Sequence, residues 1–415
     1  MTVRTVEEHQ RVVAGLITAR EPITVPVGDA LGLVLAADVV APLSLPGFDN
    51  SAMDGYAVMA PDIAAASSEH PVKLPVAEDI PAGRTDSLVL APGTAHRIMT
   101  GAPMPAGATA VIPVEATDGA TDTVSIRASA APGQHVRRAG EDVTAGTTVL
   151  HAGYVLTPAA LGLAAALGLG ELSVVPRQRV LVMSTGSELV APGTPLQPGQ
   201  IYESNAVMLA AAVREAGAEV STSSMTEDDV DAFRAELLAH ARDADLIITT
   251  GGVSAGAYEV VKDALGAGAA ATSGLGGGPE VEFVKVAMQP GMPQGAGTVS
   301  ETPIITLPGN PVSALVSFEV FIRAPLRAAM GLPHADRPRL DATVTEDLTS
   351  PSGRRQFRRG VLTKAGGSGP ATVTSYGPPA SHHLRWLASA NCLLEIGEDV
   401  VELAAGSPVR VWDLT

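Results

Sequence analysis

The stretch DADLIITTGGVSAGAYEVVKD, residues 243–263, decides the fold of this chain. It predicts a buried strand at Leu246–Ile248, then a glycine-rich turn, and then a helix. Gly251, Gly252 and Gly256 permit backbone conformations that are closed to other residues, so consecutive N–H groups can face one bound anion. The helix that follows adds its positive dipole end at the same place. The stretch therefore predicts an α/β unit that holds a phosphate on its main chain.

Length and composition indicate a soluble protein of several domains. A chain of 415 residues is too long for one core, and roughly two to four domains are expected. Hydrophobic residues at 46% and charged residues at 17% exclude a disordered chain. The formal net charge of −17 argues against nucleic acid or an anionic membrane as a partner, because both reward a basic surface. A phosphate must then be held locally, by backbone amides, a few basic side chains or a divalent cation.

The single cysteine and the lack of long apolar runs limit the location and chemistry of the chain. Cys392 alone excludes an intramolecular disulfide and a cysteine-based zinc cluster. Its apolar run, Asn391–Ile396, predicts a buried strand residue rather than a nucleophile. The first residues lack the apolar core of a signal peptide, and the weakly polar run 159–170 is too short to span a bilayer. These features predict a cytoplasmic protein.

The pattern of residues changes along the chain and separates several modules. Thr5 and Glu8 predict a capping box at the start of a first helix. Residues 22–141 show short alternating runs cut by Gly and Pro, which predict a β module. After residue 176 strands alternate with helices, which predicts a parallel sheet wound on both faces with ligands at the carboxyl ends of its strands. From about residue 337 short strands return and predict a small β-barrel.

Six short strings resemble the motifs of one known family, and they occur in the family's order over nearly the whole chain. The family is that of the molybdopterin molybdenumtransferases, which comprises the MoeA proteins and the gephyrin E-domain. The strings are PGFDNSAMDGYAV (46–58), RIMTGAPMPAGATAVIPVE (97–115), STGSEL (184–189), GQIYESN (199–205), TTGGVSAG (249–256) and LPGNPVSAL (307–315).

This resemblance implies a multidomain α/β and β fold. The expected parts are a doubly wound α/β domain like that of MoaB and Mog, an interrupted N-terminal domain, an inserted β domain and a C-terminal β-barrel. The expected boundaries are 1–45 with 143–176 for the N-terminal domain, 46–142 for the inserted domain, 177–333 for the α/β domain and 334–415 for the barrel.

The resemblance also implies an activity and partners. Family members insert molybdate into adenylylated molybdopterin, cleave its pyrophosphate with a divalent metal and release AMP. They are homodimers in which each active site lies between the α/β domain of one subunit and the inserted domain of the other. A molybdopterin adenylyltransferase and molybdoenzyme maturation proteins are the expected further partners.

Two other functions remain as alternatives. Stand-alone relatives of the α/β domain adenylylate molybdopterin, so an adenylyltransferase is the first alternative. The N-terminal strings and the barrel, which those proteins lack, favour the molybdenumtransferase. A scaffold role like that of gephyrin is the second alternative, but nothing in the chain resembles a receptor-tethering linker.

Three acidic residues follow separate predicted strands and form the expected metal site. Carboxylates that meet beside a phosphate repel one another unless a hard cation lies among them, and Mg²⁺ prefers oxygen ligands. Asp228 matches the family's acidic position, whereas Glu259 stands where the family commonly has aspartate. The alternatives are a first-turn glutamate for Glu188 and a solvated acidic loop for Asp228. The expected metal ligands are Asp228, Glu188 and Glu259.

The expected catalytic residues come from two parts of the chain, the inserted β domain and the α/β domain. Asp54 matches a family position that faces the partner's active site, and Thr100 matches another site residue. On the residues alone, each could instead form or cap a turn. The complete expected set is Asp54, Thr100, Glu188, Asp228 and Lys285.

The expected binding residues combine the glycine turn with basic and polar side chains. Gln289 and Met292 stand where many relatives carry lysines, so positive charge must come from elsewhere. The string GRRQFRRG (353–360) supplies four arginines, as an anion-binding edge or, alternatively, as a salt-bridged barrel surface. The expected binding set is Gly251, Gly252, Ser254, Gly256, Lys262, Pro308, Asn310, Arg354, Arg359 and Ser381.

Overall fold

The chain divides into two compact units. The α/β–barrel unit consists of Met1–Ile23 and Val175–Thr415, and the β unit is Thr24–Val174. The four domain boundaries expected from the sequence are finer than this division and stay a prediction. The computed structural model describes residues 3–222, 229–252, 260–265, 280–364 and 370–415.

The α/β–barrel unit is built on a seven-stranded central sheet. The predicted buried strand is confirmed as Leu246–Thr250, in which all five residues are buried. It pairs in parallel with Arg179–Ser184 on one side and Thr302–Leu307 on the other. The order across the sheet is Val3–Arg4, Glu280–Val286, Pro293–Val299, Thr302–Leu307, Leu246–Thr250, Arg179–Ser184 and Glu219–Thr222.

The central sheet is mixed rather than wholly parallel. Pro293–Val299 runs antiparallel to both of its neighbours, Glu280–Val286 and Thr302–Leu307. The physical reason is connection length, because short links reverse the chain whereas parallel neighbours need a long crossover. The expectation of a parallel sheet therefore holds for six of the seven strands of this sheet, and not for Pro293–Val299, which is inserted between two of them.

Alternate residues of the central strands enter opposite cores. Ile247 packs with Phe233 on one face, and Ile248 packs with Phe318 on the other. Helices cover both faces, so the predicted doubly wound α/β arrangement is confirmed. The α-helices of this unit are Val6–Leu16, Asn205–Glu215, Val230–Ala241, Val260–Leu265, Pro311–Ser317, Arg323–Ala329 and Leu384–Ala388.

The first helix, Val6–Leu16, begins at the predicted capping box. The Glu8 N–H donates to Thr5 Oγ1 at 3.2 Å, and the Thr5 N–H donates to Glu8 Oε2 at 2.8 Å. On the inner face of this helix, His9 is fully buried with its ring edge-on to Phe321 at a centroid distance of 4.7 Å. Within the described chain neither ring nitrogen of His9 has a hydrogen-bond partner.

The buried imidazole of His9 predicts a loss of stability in mild acid. Burial, followed by the charge of Arg4, lowers its pKa from 6.5 to about 4. The unfolded state binds more protons below pH 6.5, so stability present above that pH is lost as the pH falls towards 4. From pH 7 to pH 5, this residue should cost about 2 kcal/mol of unfolding free energy. The unfolding free energies of wild type and a His9→Leu variant are measured by urea unfolding at several pH values. Between pH 7 and pH 5 the variant should lose less stability than wild type, and an equal loss in the two proteins would contradict the assignment.

One π-helical turn interrupts the last long helix of the α/β region. The α-helices Pro311–Ser317 and Arg323–Ala329 flank the π turn Phe318–Ile322. Pro325 has no N–H group, so a regular i→i−4 bond cannot form there, and a locally wider turn accommodates the loss. Glu319 lies on this turn and is buried.

The C-terminal strands close into the predicted β-barrel. Arg355–Thr363 pairs with both Thr372–Ser375 and Cys392–Ile396, which completes the ring. Cys392 is the expected buried strand residue, and burial raises the pKa of its thiol to about 12. The remaining barrel strands are Arg339–Val344 and Pro408–Asp413, with Met288–Gln289 added beside Arg355–Gln356 and a short pair Leu348–Thr349 with Glu402–Leu403.

The β unit is rich in short strands, as the sequence predicts. Its one described α-helix, Pro158–Ala166, starts with Pro158 and is capped by the side chain of Thr157. Its main sheet has the order Thr123–Ile126, Val72–Ile80, Ala95–Ile98, Gly55–Val58 and Ala110–Pro113. Smaller sheets join Ile23–Pro26, Glu171–Val175 and Val34–Leu35; Val136–Arg137 and Asn50–Ser51; and Thr148–Leu150 and Val39–Val40. Across the described residues of the whole chain, no helix has the length and apolarity needed to cross a membrane.

Candidate active site

A cavity of about 950 Å³ opens at the carboxyl ends of three parallel strands in the α/β–barrel unit. The strands end at Ser184, Thr250 and Leu307, and the loops that follow them line the cavity. This is the place that the predicted α/β architecture assigns to a ligand. Six expected site residues line it together: Glu188, Gly251, Gly252, Pro308, Asn310 and Ser381.

The glycine turn after Leu246–Thr250 requires glycine at both of its described positions. Gly251 has φ +91°, and a Cβ there would lie 2.8 Å from the carbonyl oxygen of Thr185. Gly252 has φ +63°, and a Cβ there would lie 2.9 Å from the backbone nitrogen of Val261. The turn is therefore a close packing of main chain on main chain, open to the cavity on its other side. The expected residues Ser254 and Gly256 lie outside the described residues, so the complete phosphate cup stays a prediction.

Glu188 brings a carboxylate to the cavity. It is exposed, and its side chain folds back over Gly186, where a Cβ would lie 2.6 Å from Glu188 Oε2. The expected co-ligands Asp228 and Glu259 lie outside the described residues. Among the residues that are described, no group of three His, Cys, Asp or Glu side chains could hold a metal ion. The three-carboxylate site stays a prediction.

A buried glutamate beneath the cavity was not anticipated from the sequence. Glu203 Oε1 accepts hydrogen bonds from Ser184 Oγ at 3.0 Å and from the Ala206 N–H at 2.8 Å. Ser184 Oγ also lies 3.2 Å from Thr250 Oγ1. Glu203 therefore ties two strand ends to the first turn of helix Asn205–Glu215. Its place in the string GQIYESN, directly before a helix start, was the available signal.

Asn205 is a second unanticipated residue, and it fixes the neighbouring loop. It is buried and lines the cavity, and its Nδ2 donates to the carbonyl oxygen of Gly309 at 2.7 Å. Gly309 in turn lies directly against Gly251, since a Cβ on Gly309 would be 3.4 Å from the Gly251 Cα. Asn205 thus positions the loop that carries Asn310 against the glycine turn.

Arg359 is a buried residue of the barrel. It is only 3% exposed and lies in the barrel strand Arg355–Thr363. Its guanidinium donates to the carbonyl oxygens of Ala380 at 3.2 Å, His383 at 3.1 Å and Pro378. These bonds hold the guanidinium inside the protein, and Arg359 does not line the cavity, so its expected contact with the anion stays a prediction. Arg359 holds the segment that brings Ser381 to the cavity wall.

Two other arginines of the string GRRQFRRG are candidates for an anion-binding edge or a salt-bridged barrel surface. Arg355 forms ion pairs with Glu7, Glu395 at 3.4 Å and Glu398 at 3.1 Å, as a salt-bridged barrel surface would. Arg354 is exposed and does not line the cavity. No described residue that lines the cavity is a lysine or an arginine.

Both expected lysines lie outside the cavity lining. Lys285 is exposed on Glu280–Val286, whose neighbouring residues Val284 and Val286 enter the core. Lys262 is half-buried, and its backbone N–H donates to the carbonyl oxygen of Gly252 at 3.2 Å. Lys262 therefore connects its helix to the glycine turn through the main chain.

Asp54 and Thr100 are brought together in the β unit, as expected of one site. The N–H and the hydroxyl of Thr100 both donate to Asp54 Oδ1 at 2.6 Å. The hydroxyl bond first, and the N–H bond second, lower the pKa of this carboxyl below its usual range. Both residues are exposed, so an ionised carboxylate in a fixed orientation is available on the surface of this unit.

Comparisons with known proteins agree with these features. Three family models match in chain order: the MoeA N-terminal region (domain I and II) at 4–168, a probable molybdopterin binding domain at 181–328 and the MoeA C-terminal region (domain IV) at 341–414. Molybdopterin molybdenumtransferase 2 of Mycobacterium tuberculosis strain H37Rv is 69% identical, over 99% of this chain and 100% of that protein. Molybdopterin molybdenumtransferase of Haemophilus influenzae is 34% identical, over 92% of this chain and 91% of that protein. The crystal structure of a molybdopterin biosynthesis MoeA protein from Pyrococcus horikoshii superimposes with a TM-score of 0.78 at 29% identity, covering 100% of both chains. The present chain belongs to the MoeA family.

Proposed function

We propose that this chain is a molybdopterin molybdenumtransferase, which inserts molybdate into adenylylated molybdopterin and releases AMP in a Mg²⁺-dependent reaction. Relatives that match nearly its full length carry that name. The observation that carries the proposal is the cavity, in which six expected residues from four separate loops line one space. Most of that cavity falls in the region matched by the probable molybdopterin binding domain. Its volume suits a large ligand.

The described residues perform binding and orientation in this proposal. The backbone of Gly251 and Gly252 would bind the pyrophosphate, since both residues line the cavity and neither carries a side chain. Asn205 and Glu203 keep the loops of the cavity in register, so the reacting groups meet in a fixed geometry. Glu188 fits a hard cation because it offers an exposed carboxylate at the cavity, and Asp228 and Glu259 are its proposed co-ligands. Bound Mg²⁺ would supply charge neutralisation on the pyrophosphate.

A homodimer is part of the proposal. Each Asp54–Thr100 pair would complete the active site of the partner subunit, in line with the family resemblance. Exposed apolar side chains of the β unit support burial against a second copy: Leu31, Val40, Leu43, Phe48 and Tyr154. Sedimentation equilibrium should give twice the 42.1 kDa chain mass. A strictly monomeric protein with full activity would contradict the shared site.

The proposed setting follows from charge and from the resemblance. A cytoplasmic location is proposed, with an adenylyltransferase as supplier of substrate and molybdoenzyme maturation proteins as recipients. The net charge of −17 argues against nucleic acid and an anionic membrane as partners.

The central experiment separates the proposed activity from adenylylation. The purified chain is incubated with adenylylated molybdopterin, molybdate and Mg²⁺, and AMP and molybdenum cofactor are measured. A second reaction contains ATP and molybdopterin without molybdate. AMP release with cofactor formation in the first reaction supports the proposal, whereas adenylylated product in the second indicates an adenylyltransferase.

A Glu188→Gln variant tests the proposed cation contact. The amide keeps an oxygen at the same place but removes the charge, so the Mg²⁺ concentration for half-maximal AMP release should rise clearly. Glu402→Gln is the control, since Glu402 is exposed on the short barrel strand Glu402–Leu403, outside the cavity lining. Equal Mg²⁺ dependence in wild type and Glu188→Gln would remove Glu188 from the metal site.

A further inference from the structure

The cavity must bind an anionic substrate in the proposed reaction, and the inference below rests on that proposed function. Molybdate is a dianion, yet no described residue of the cavity lining is a lysine or an arginine. The lining also carries the carboxylates of Glu188 and Glu203, which repel an anion. The described lining therefore offers an oxyanion mainly main-chain N–H, amide and hydroxyl donors, with the His382 ring beside them.

One side-chain amide in the lining is held in a fixed orientation from behind. Gln289 lines the cavity and is the register partner of Gln356 in the parallel pairing between its turn and the barrel. Gln356 is only 3% exposed, and its Nε2 donates to Gln289 Oε1 at 3.2 Å. Since Oε1 of Gln289 is occupied on the barrel side, its Nε2 is the amide atom left for the cavity.

The turn that carries Gln289 is itself held rigidly. Gln294 is 1% exposed, and its Nε2 donates to the carbonyl oxygen of Gly291 and to Ser317 Oγ, both at 2.7 Å. Gly291 has φ +100°, and a Cβ there would lie 2.8 Å from Ser317 Oγ. The segment from Gln289 to Met292 is therefore anchored at both ends, which is what a positioned donor requires.

We propose that Gln289 is a specificity-determining residue for the oxyanion substrate, with its Nε2 as hydrogen-bond donor, and that Gln356 is its positioning residue. The seat thereby binds the dianion through directed hydrogen bonds rather than through a cation. Two physical consequences follow. Affinity depends on the orientation of one amide, and it does not fall as ionic strength rises, because the described lining has no lysine or arginine whose attraction salt would screen, and salt also screens the repulsion from Glu188 and Glu203.

The first arm of the test removes the donor and its support separately. Gln289→Leu and Gln356→Leu are compared with wild type by equilibrium dialysis against molybdate alone and by steady-state kinetics. Loss of one oriented hydrogen bond should raise the molybdate Kd and KM about fivefold, while the KM for adenylylated molybdopterin stays unchanged. Gln356→Leu is expected to fold, because in the described chain its Oε1 is a buried acceptor without a partner, and leucine removes that unpaired group.

A matched control and a charged variant complete the test. Gln178→Leu removes another buried glutamine, which donates to the Thr18 carbonyl oxygen at 3.0 Å away from the cavity lining, and should leave the molybdate Kd unchanged. Gln289→Lys should bind molybdate with a Kd that rises steeply with salt, whereas the wild-type Kd should not rise.

The outcomes distinguish this inference from the proposed function. Wild-type molybdate affinity in both leucine variants, or a wild-type Kd as salt-sensitive as that of Gln289→Lys, overturns the inference. A wild-type chain that binds molybdate in the expected Gln289-dependent way but forms no cofactor leaves the inference standing and refutes the proposed activity.

Discussion

A Gly251→Ala variant is expected to release AMP at least about 100-fold more slowly than wild type, because ligand misplacement near 1 Å has effects of that order. The residue adopts φ +91°, which alanine disfavours, and the added methyl would lie 2.8 Å from the Thr185 carbonyl oxygen. The turn or the strand end of Thr185 must then move, and Glu188 lies on the same loop. AMP release under saturating substrate is the measurement, with circular dichroism to confirm folding.

The control for this variant separates backbone strain from contact. Gly193 has φ +90°, nearly the same as Gly251, but a Cβ there would meet nothing within 4 Å. Gly193→Ala should therefore show a small stability loss and near-normal AMP release. If both alanine variants lose activity equally, or if Gly251→Ala remains fully active, the close packing of the turn is not what the reaction needs.

The second large effect is expected on stability, from Arg337→Met. Arg337 contacts both carboxylate oxygens of the buried Glu319, at 2.9 and 3.0 Å, and also Glu215 at 2.8 Å and the Leu414 carbonyl oxygen at 3.2 Å. Removal of the cation leaves a buried carboxylate whose other neighbour, Arg323, is 3.8 Å away. Breaking a buried pair in this way costs about 3–5 kcal/mol. Urea unfolding at neutral pH is the measurement.

Two further variants show whether the loss comes from the orphaned charge. Arg337→Met combined with Glu319→Gln should recover much of the stability, because no buried carboxylate remains without its partner. Arg97→Met removes an exposed pair with Asp79 at 3.8 Å and should change stability by less than about 1 kcal/mol. A loss in Arg337→Met no larger than that of Arg97→Met would refute the assignment.

Local sequence patterns were sufficient for much of the architecture. The buried strand Leu246–Thr250 and the glycine turn were predictable because strand burial and positive φ leave signals within a few residues. The capping box at Thr5 was predictable for the same reason. The resemblance added the expectation that Glu188 and Ser381, which are distant in sequence, meet in one cavity, and the structure brings them together.

Side-chain partners across the fold were not predictable in the same way. Arg355 and Arg359 sit four positions apart in one string, yet the first pairs with acids and the second binds carbonyl oxygens inside the protein. That difference depends on which segments the barrel places beside each residue. Lys285 is a case in which a usable signal existed, because its neighbours Val284 and Val286 indicate that the lysine points away from the core.

The pairing of Met288–Gln289 with Arg355–Gln356 lets the barrel fix the position of a residue that lines the cavity. The segment that contributes Gln289 to the cavity wall therefore pairs with a strand of the C-terminal barrel, which lies outside the α/β sheet. If Gln289 is the proposed donor, a substitution at Gln356 would change the orientation of Gln289 without changing any residue that lines the cavity. Under that proposal, two proteins with identical residues lining the cavity need not bind an oxyanion equally well, because the barrel residue that supports the donor can differ.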